Sequence, residues 1–251
     1  MAQKLILPIN KCVFSAGYKN IEYKKQQGYS HYGVDLFGED GLAVYACGDG
    51  TVVAAGMDGG ALNKRLGNCI VIVYRDVMLH SGKICDIACR MFHFSKLLVK
   101  AGQSVTKDTV IGLYGNTGST TVLGKPMGYH LHLELDTDTK YPQYAVGISG
   151  SGSIIKRGTA DSTINPSSVW YMDKNQSIWG KYPGWYTAQD VELPRLAEAP
   201  EPTDPAEPQK CAECEKLREQ LGQAELVQNT LLVRLNKIAE IAACEDRMQR
   251  F

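Results

Sequence analysis

Two histidines stand one residue apart in Tyr129-His130-Leu131-His132-Leu133-Glu134-Leu135, out of only five in a chain of 251 residues. The run alternates around an apolar spine and reads as a β-strand. Strand side chains alternate between faces, so both imidazoles project from one face while Leu131, Leu133 and Leu135 fill the other. A packed core has little use for such a pair, because each buried imidazole needs hydrogen-bond partners; a metal ion or a proton transfer uses it directly. Upstream, Tyr29-Ser30-His31-Tyr32-Gly33-Val34-Asp35 supplies His31-x-x-x-Asp35, an imidazole and a carboxylate close enough to converge on one cation. One histidine of the later pair makes the set His, Asp, His with a fourth position open, the composition of a catalytic rather than a structural zinc site. A water in that position has a pKa near about 7 and would serve as nucleophile.

The other histidine of the pair then lies beside the metal, free for proton work. His93, in the alternating segment Cys89-Arg90-Met91-Phe92-His93-Phe94, is a second candidate for it. His80, in Val77-Met78-Leu79-His80-Ser81-Gly82, falls in what looks like a hairpin turn and is assigned to the surface.

These side chains need a scaffold, and the sequence indicates a mainly β one. The best strand candidates are Leu42 to Tyr45, Thr51 to Ala54, Asn68 to Tyr74, Ala88 to Phe94, Thr109 to Leu113 and His130 to Leu135, punctuated by Gly, Asp and Asn turns. No run of helical periodicity competes with them before residue 192. From Leu193 to Pro208 the chain holds half of its ten prolines together with several acids. That composition cannot form a core and reads as an extended linker over 193–209, so the domain is expected to span 1–192. Beyond it the period changes to seven, with a positions Cys214, Leu221, Gln228, Leu235 and Ala242 and d positions Leu217, Ala224, Leu231, Ile238 and Glu245. The C-terminal segment 210–251 is therefore expected to be helical, with a coiled coil and homo-oligomerisation through about 210–248; a single helix docking on its own domain is the alternative. Cys211-Ala212-Glu213-Cys214 has no second CxxC to complete a zinc ribbon.

Lys plus Arg and Asp plus Glu are equal at 27 each, which removes any global electrostatic case for nucleic acid or an anionic lipid surface as partner. No stretch reaches the roughly 18 to 20 apolar residues that would insert into a membrane. Met1-Ala2-Gln3-Lys4-Leu5-Ile6-Leu7-Pro8 is too short an apolar run for a secretory signal, so synthesis in the cytoplasm without a signal peptide is the expectation. Most of the eight cysteines are accordingly read as free thiols.

The ordered series matters more than any member of it. HxxxD is followed by Gly67-Asn68 before an apolar strand, then His93 in an aromatic setting, then Gly102 to Gly112, then Gly115-Asn116-Thr117-Gly118-Ser119-Thr120, then HxH. In this order the chain resembles the LytM and lysostaphin-type zinc endopeptidases over about residues 29–135, and Ile164-Asn165-Pro166 looks like that family's closing segment, giving a motif core of 29–166. The resemblance implies an antiparallel β-sheet core whose groove holds one zinc ion per chain and receives a peptidoglycan peptide. It implies His31, Asp35 and His132 as metal ligands, and His93 and His130 as the catalytic histidines. It also implies metal-assisted hydrolysis of a stem-peptide or cross-bridge bond.

Departures from the family pattern lie around the groove. Ser119 to Gly128 makes a longer loop before the HxH strand, Thr137 to Thr163 reads as an inserted hairpin or flexible loop, and Phe92-His93-Phe94 lacks the tyrosine usual near that histidine. Asp136 and Asp138 are read as solvated loop acids, and Asn68 as either a strand-entry or a groove residue. The run Trp179 to Tyr186 reads as either a sugar-binding surface or a packing patch. The biological setting suggested is a phage or prophage lysin that meets the wall after holin-dependent release or as a virion component. The competing reading is a non-catalytic or structural phage tail protein, with the coiled coil serving assembly.

Overall fold

The computed structural model describes residues 2–57, 66–118, 121–122, 125–126, 128–142, 145–146, 155–156 and 161–197. The coiled coil expected over 210–248, the linker beyond residue 197, Cys211, Cys214 and Cys244 lie outside these residues. So do half of the loop before the HxH strand and just over half of the Thr137–Thr163 insertion. Residues 1–197 form one compact unit, so the segment just after 192 belongs to the domain rather than to the linker. Leu193 is buried, and Leu196 donates its backbone N–H to the Met172 carbonyl at 2.9 Å.

Strands dominate the order of elements: β1 (Lys11–Ala16), helix α1 (Ile21–Gln27), β2 (Val34–Gly38), β3 (Ala43–Tyr45), β4 (Gly50–Met57), β5 (Asn68–Met78) and β6 (Ile84–Leu97). Then follow β7 (Ser104–Val105), β8 (Val110–Tyr114), the two-residue pair β9 (Thr121–Val122) and β10 (Lys125–Pro126), and β11 (Leu131–Asp136). A second short pair, β12 (Ala145–Val146) and β13 (Ile155–Lys156), precedes β14 (Thr163–Ile164), β15 (Ser177–Trp185) and helix α2 (Ala188–Val191). Every strand expected from sequence is present, whereas β1, β2 and β15 were not anticipated. Helix α1 stands where no helical periodicity shows in the sequence. Its signals are local: the Asn20 side chain caps the Tyr23 N–H at 3.0 Å, and Gly28 closes the other end at φ 81°. The β12–β13 pair runs parallel, so of the two readings of the insertion, hairpin or flexible loop, these four residues do not make the hairpin.

The main sheet runs β15-β1-β2-β11-β6-β5-β4-β7, with β14 beside β11 and β3 and β8 attached through β6. It is antiparallel except for β1 on β15. One face packs the core through Val34 and Leu36 of β2, Leu131, Leu133 and Leu135 of β11, Ile87, Cys89 and Met91 of β6, and Ile70 and Ile72 of β5. The alternation predicted for Leu131, Leu133 and Leu135 is therefore realised, and the chemistry-bearing residues are left on the opposite face. Among the described cysteines, Cys12, Cys47 and Cys89 are free and buried, and Cys85 is free and half-buried. Burial pushes the Cys12 and Cys89 thiols up and keeps them protonated. Among the described residues no helix is long and apolar enough to cross a membrane.

Candidate metal centre and histidine pair

Asp35 lies in β2 directly opposite His132 of β11, and His132 lies opposite Phe92 of β6, so three central strands set the floor of the site. His31 enters from the segment just before β2. Its Nδ1 donates to the Gly17 carbonyl at 3.0 Å, and because a carbonyl can only accept, Nδ1 carries a proton and Nε2 is the nitrogen left to face a cation. That Nε2 lies 3.1 Å from Asp35 Oδ1 and 3.1 Å from His132 Nδ1, and His132 Nδ1 lies 2.9 Å from Asp35 Oδ1. Two imidazole nitrogens and a carboxylate oxygen thus converge from three buried residues and could hold a metal ion. The donor chemistry suits a borderline divalent cation with an open position.

The close approach depends on a glycine. A Cβ built on Gly33 would lie 2.3 Å from the Leu133 carbonyl oxygen and 2.9 Å from His132 Cε1. The first contact is backbone, which cannot give way cheaply. Gly33→Ala is therefore expected to destabilise the fold by about 2 kcal/mol and to push β2 off β11, weakening metal retention with all three donors intact. Thermal melting and metal analysis of the same sample check both effects.

The electrostatics of the three donors are strongly coupled. Burial by itself would raise the Asp35 carboxyl, but the charge of His31 and hydrogen bonds from His132 and His31 hold it well below the usual carboxylate range. Burial alone would lower His132, yet hydrogen bonds to Asp35 and Glu134 overcome it and raise the imidazole to about 9. A metal must displace that proton. Below pH 9 metal binding is therefore expected to release close to one proton per chain from His132, with affinity falling as pH falls. Calorimetry in buffers of different ionisation enthalpy measures the released proton directly.

His93 and His130 face each other beside this centre, with ring centroids 4.8 Å apart. His93 Nδ1 donates to the Thr117 carbonyl and His130 Nδ1 to the Gly128 carbonyl, each at 2.9 Å. As in His31, Nδ1 carries a proton in each ring, which leaves Nε2 as the nitrogen turned to the site. The His93 ring centroid is 6.2 Å from that of His132, so the pair adjoins the His31–Asp35–His132 cluster. Burial pushes His93 down, the neighbouring imidazoles His130 and His132 push it further, and it settles at about 4.

His93 reaches this face through a distortion. In β6, Met91 opposes Ile70 and Phe94 opposes Asn68, so Phe92 and His93 together face the single residue Cys69 across a β-bulge. His93 occupies the left-handed region at φ 67°. Regular alternation would turn His93 to the same face as Met91; the bulge inserts it out of phase, and Phe94 resumes the core face.

The structure therefore brings His31, Asp35 and His132 into one cluster, with His93 and His130 against it. His80 is exposed in the β5–β6 turn, as expected, and its Nε2 meets the Trp170 carbonyl at 2.9 Å. Asn68 opens β5 and spends its side chain on the Phe94 carbonyl, which supports the strand-entry reading. Asp136 requires correction: it is completely buried, not solvated, because Arg90 of β6 donates Nη2 to its Oδ2 at 2.9 Å. The segment Trp179 to Tyr186 is mostly strand β15 and packs: Trp185 sits edge-on to Tyr23 and Tyr186 to Phe14, while Trp179 remains 44% exposed.

Sequence reasoning missed Tyr23, which stacks on the His31 ring at 4.6 Å, and it missed Arg90 and Glu134. The available signal for Glu134 was its place two residues after His132 on the same strand face.

Residues 29–143 match peptidase family M23, and the chain carries a domain of that family. Peptidoglycan DD-endopeptidase ShyA of Vibrio cholerae is 38% identical over 105 residues, 42% of this chain and 20% of that protein. Glycyl-glycine endopeptidase ALE-1 of Staphylococcus capitis is 33% identical over 135 residues, 50% of this chain and 32% of that protein. The chain thus spans a third or less of the length of these relatives. Among solved structures, the catalytic domain of lysostaphin from Staphylococcus simulans aligns over 62% of this chain and 89% of its own, at 25% identity and a TM-score of 0.38.

Proposed function

We propose that this chain is a zinc-dependent metalloendopeptidase that hydrolyses peptide bonds of bacterial peptidoglycan. The observation that carries the reading is a three-donor set, His31, Asp35 and His132, with two histidines beside it whose Nδ1 atoms are spent on backbone carbonyls, inside a domain of a peptidase family. Relatives named as DD-endopeptidase and glycyl-glycine endopeptidase support the substrate class while differing in the bond their names specify. Bound zinc would polarise the scissile carbonyl and acidify a water.

The protein's own groups do the rest. Asp35, whose carboxyl is held well below the usual carboxylate range, would anchor the cation electrostatically, and His31 and His132 would complete the ligand set. His93 and His130 each present Nε2 to the site, so either would take the proton from the attacking water, and the imidazolium so formed would supply, directly or through the other ring, the proton that the leaving amine needs. Their Nδ1–H bonds to backbone carbonyls fix both rings in the orientation this requires.

Purified peptidoglycan digested with the full chain is expected to yield new free amino groups, with loss of lysis on chelation and recovery on adding zinc. Mass spectrometry of the fragments identifies the bond. Intact muropeptides after digestion with zinc-loaded protein would sink the reading. Deleting residues 198–251 also separates an enzyme from an assembly protein: an enzyme keeps chelator-sensitive lysis, if weaker, and a scaffold never had it.

A further inference from the structure

His132 has two ring nitrogens, and only one can face the metal. Nδ1 is the atom near Asp35 and His31, so Nε2 points away from the donor set, at 3.3 Å from Glu134 Oε1. Glu134 follows His132 by two residues on β11 and shares its face. It is completely buried, and an isolated carboxylate would not remain ionised there. Arg90, equally buried, stands opposite Glu134 in the β6–β11 register and donates Nε to Glu134 Oε2 at 2.9 Å. The same guanidinium donates Nη2 to Asp136 Oδ2 at 2.9 Å and Nη1 to the Pro142 carbonyl at 3.3 Å. One carboxylate oxygen of Glu134 is thus fixed by Arg90, and the other is aimed at His132.

We propose that Glu134, held by an Arg90 that Asp136 holds in turn, is a positioning residue that accepts the His132 Nε2–H and thereby commits Nδ1 to the metal. The inference rests on the metal-site reading of His31, Asp35 and His132 and adds to it the device that selects the ligating nitrogen. A carboxylate behind a ligating imidazole fixes its tautomer and ring angle and strengthens it as a ligand.

Two measurements on the full chain test this. Long-range proton–nitrogen NMR of the zinc-loaded wild-type protein is expected to show His132 with a protonated Nε2 and a metal-bound Nδ1. The reverse assignment overturns the proposal and needs no variant. Zinc affinity is then measured by chelator competition for Glu134→Gln, whose amide cannot satisfy both Arg90 and His132 as a carboxylate does. A loss of about 10-fold to 100-fold is expected. Tyr74→Phe deletes a buried hydroxyl that accepts the Cys47 N–H; it serves as the stability control and is expected to leave zinc affinity unchanged. Wild-type affinity in a folded Glu134→Gln protein overturns the proposal, as does an equal loss in Tyr74→Phe. If the wild-type chain takes up no zinc at all, the metal-site reading itself falls, which is a different failure from zinc bound with Glu134 irrelevant.

Discussion

His132→Ala is expected to abolish zinc retention and to lower peptidoglycan hydrolysis by at least about 10³-fold, whereas His130→Ala is expected to keep one zinc per chain and still lose about 10²-fold to 10⁴-fold in rate. The two residues sit one position apart, both buried, and in sequence they look equivalent. In the fold they are not. His132 Nδ1 lies within 3.1 Å of both other donors, so its removal leaves a cation with two protein ligands. His130 spends Nδ1 on the Gly128 carbonyl and stands against His93, so its removal deletes a proton carrier and no ligand. Metal analysis after gel filtration, run beside digestion of purified walls, separates the effects. Zinc retained by His132→Ala, or lost by His130→Ala, would exchange the two assignments.

His93 carries the second large effect, and it divides function from stability. Both His93→Ala and His93→Gly are expected to lose about 10²-fold to 10⁴-fold in activity while keeping metal, since neither offers an Nε2. Their stabilities should differ in the unusual direction. In an ordinary strand, glycine is less stable than alanine by roughly 0.5–1 kcal/mol. At φ 67° a Cβ is itself unfavourable by roughly 1–2 kcal/mol, so the glycine variant is expected to be the more stable of the two. Denaturant melts decide this, and an alanine variant more stable than the glycine one would remove the claim that the bulge strains His93.

His93 also gives a pH signature. Its folded-state pKa of about 4 lies below the unfolded value near 6.5, so the native protein binds fewer protons there than the unfolded chain. The stability tied to the neutral ring is fully present above about pH 6.5 and is lost as pH falls through about 4. Either substitution at His93 should flatten that part of the acid-stability curve. The same depression keeps His93 able to accept a proton in mildly acidic conditions, where an exposed histidine would already be charged.

Much of the site was legible in the sequence because the relevant rules are local. Alternation along Leu131 to Leu135 placed His130 and His132 together, and HxxxD supplied the remaining donors. The glycine blocks between them gave the order of the family. The strands carrying strong β-branched or alternating patterns were found, while β1, β2 and β15 were missed. Helix α1 was missed for a different reason: at seven residues it is too short to show a period, and only its caps mark it.

The sequence by itself determined which groups are available and which share a strand face, because the two-residue repeat of an extended chain is a property of the backbone alone. Tertiary structure decided the rest. Whether Asp136 meets water or Arg90 depends on the β6–β11 register, which no stretch of either strand encodes alone. Whether His93 faces the core or the site depends on one residue more in β6 than in β5 between their pairings, and that insertion exists only relative to a partner strand. The nitrogen that His132 turns toward the donors is set by Asp35 on one side and Glu134 on the other, across two strands.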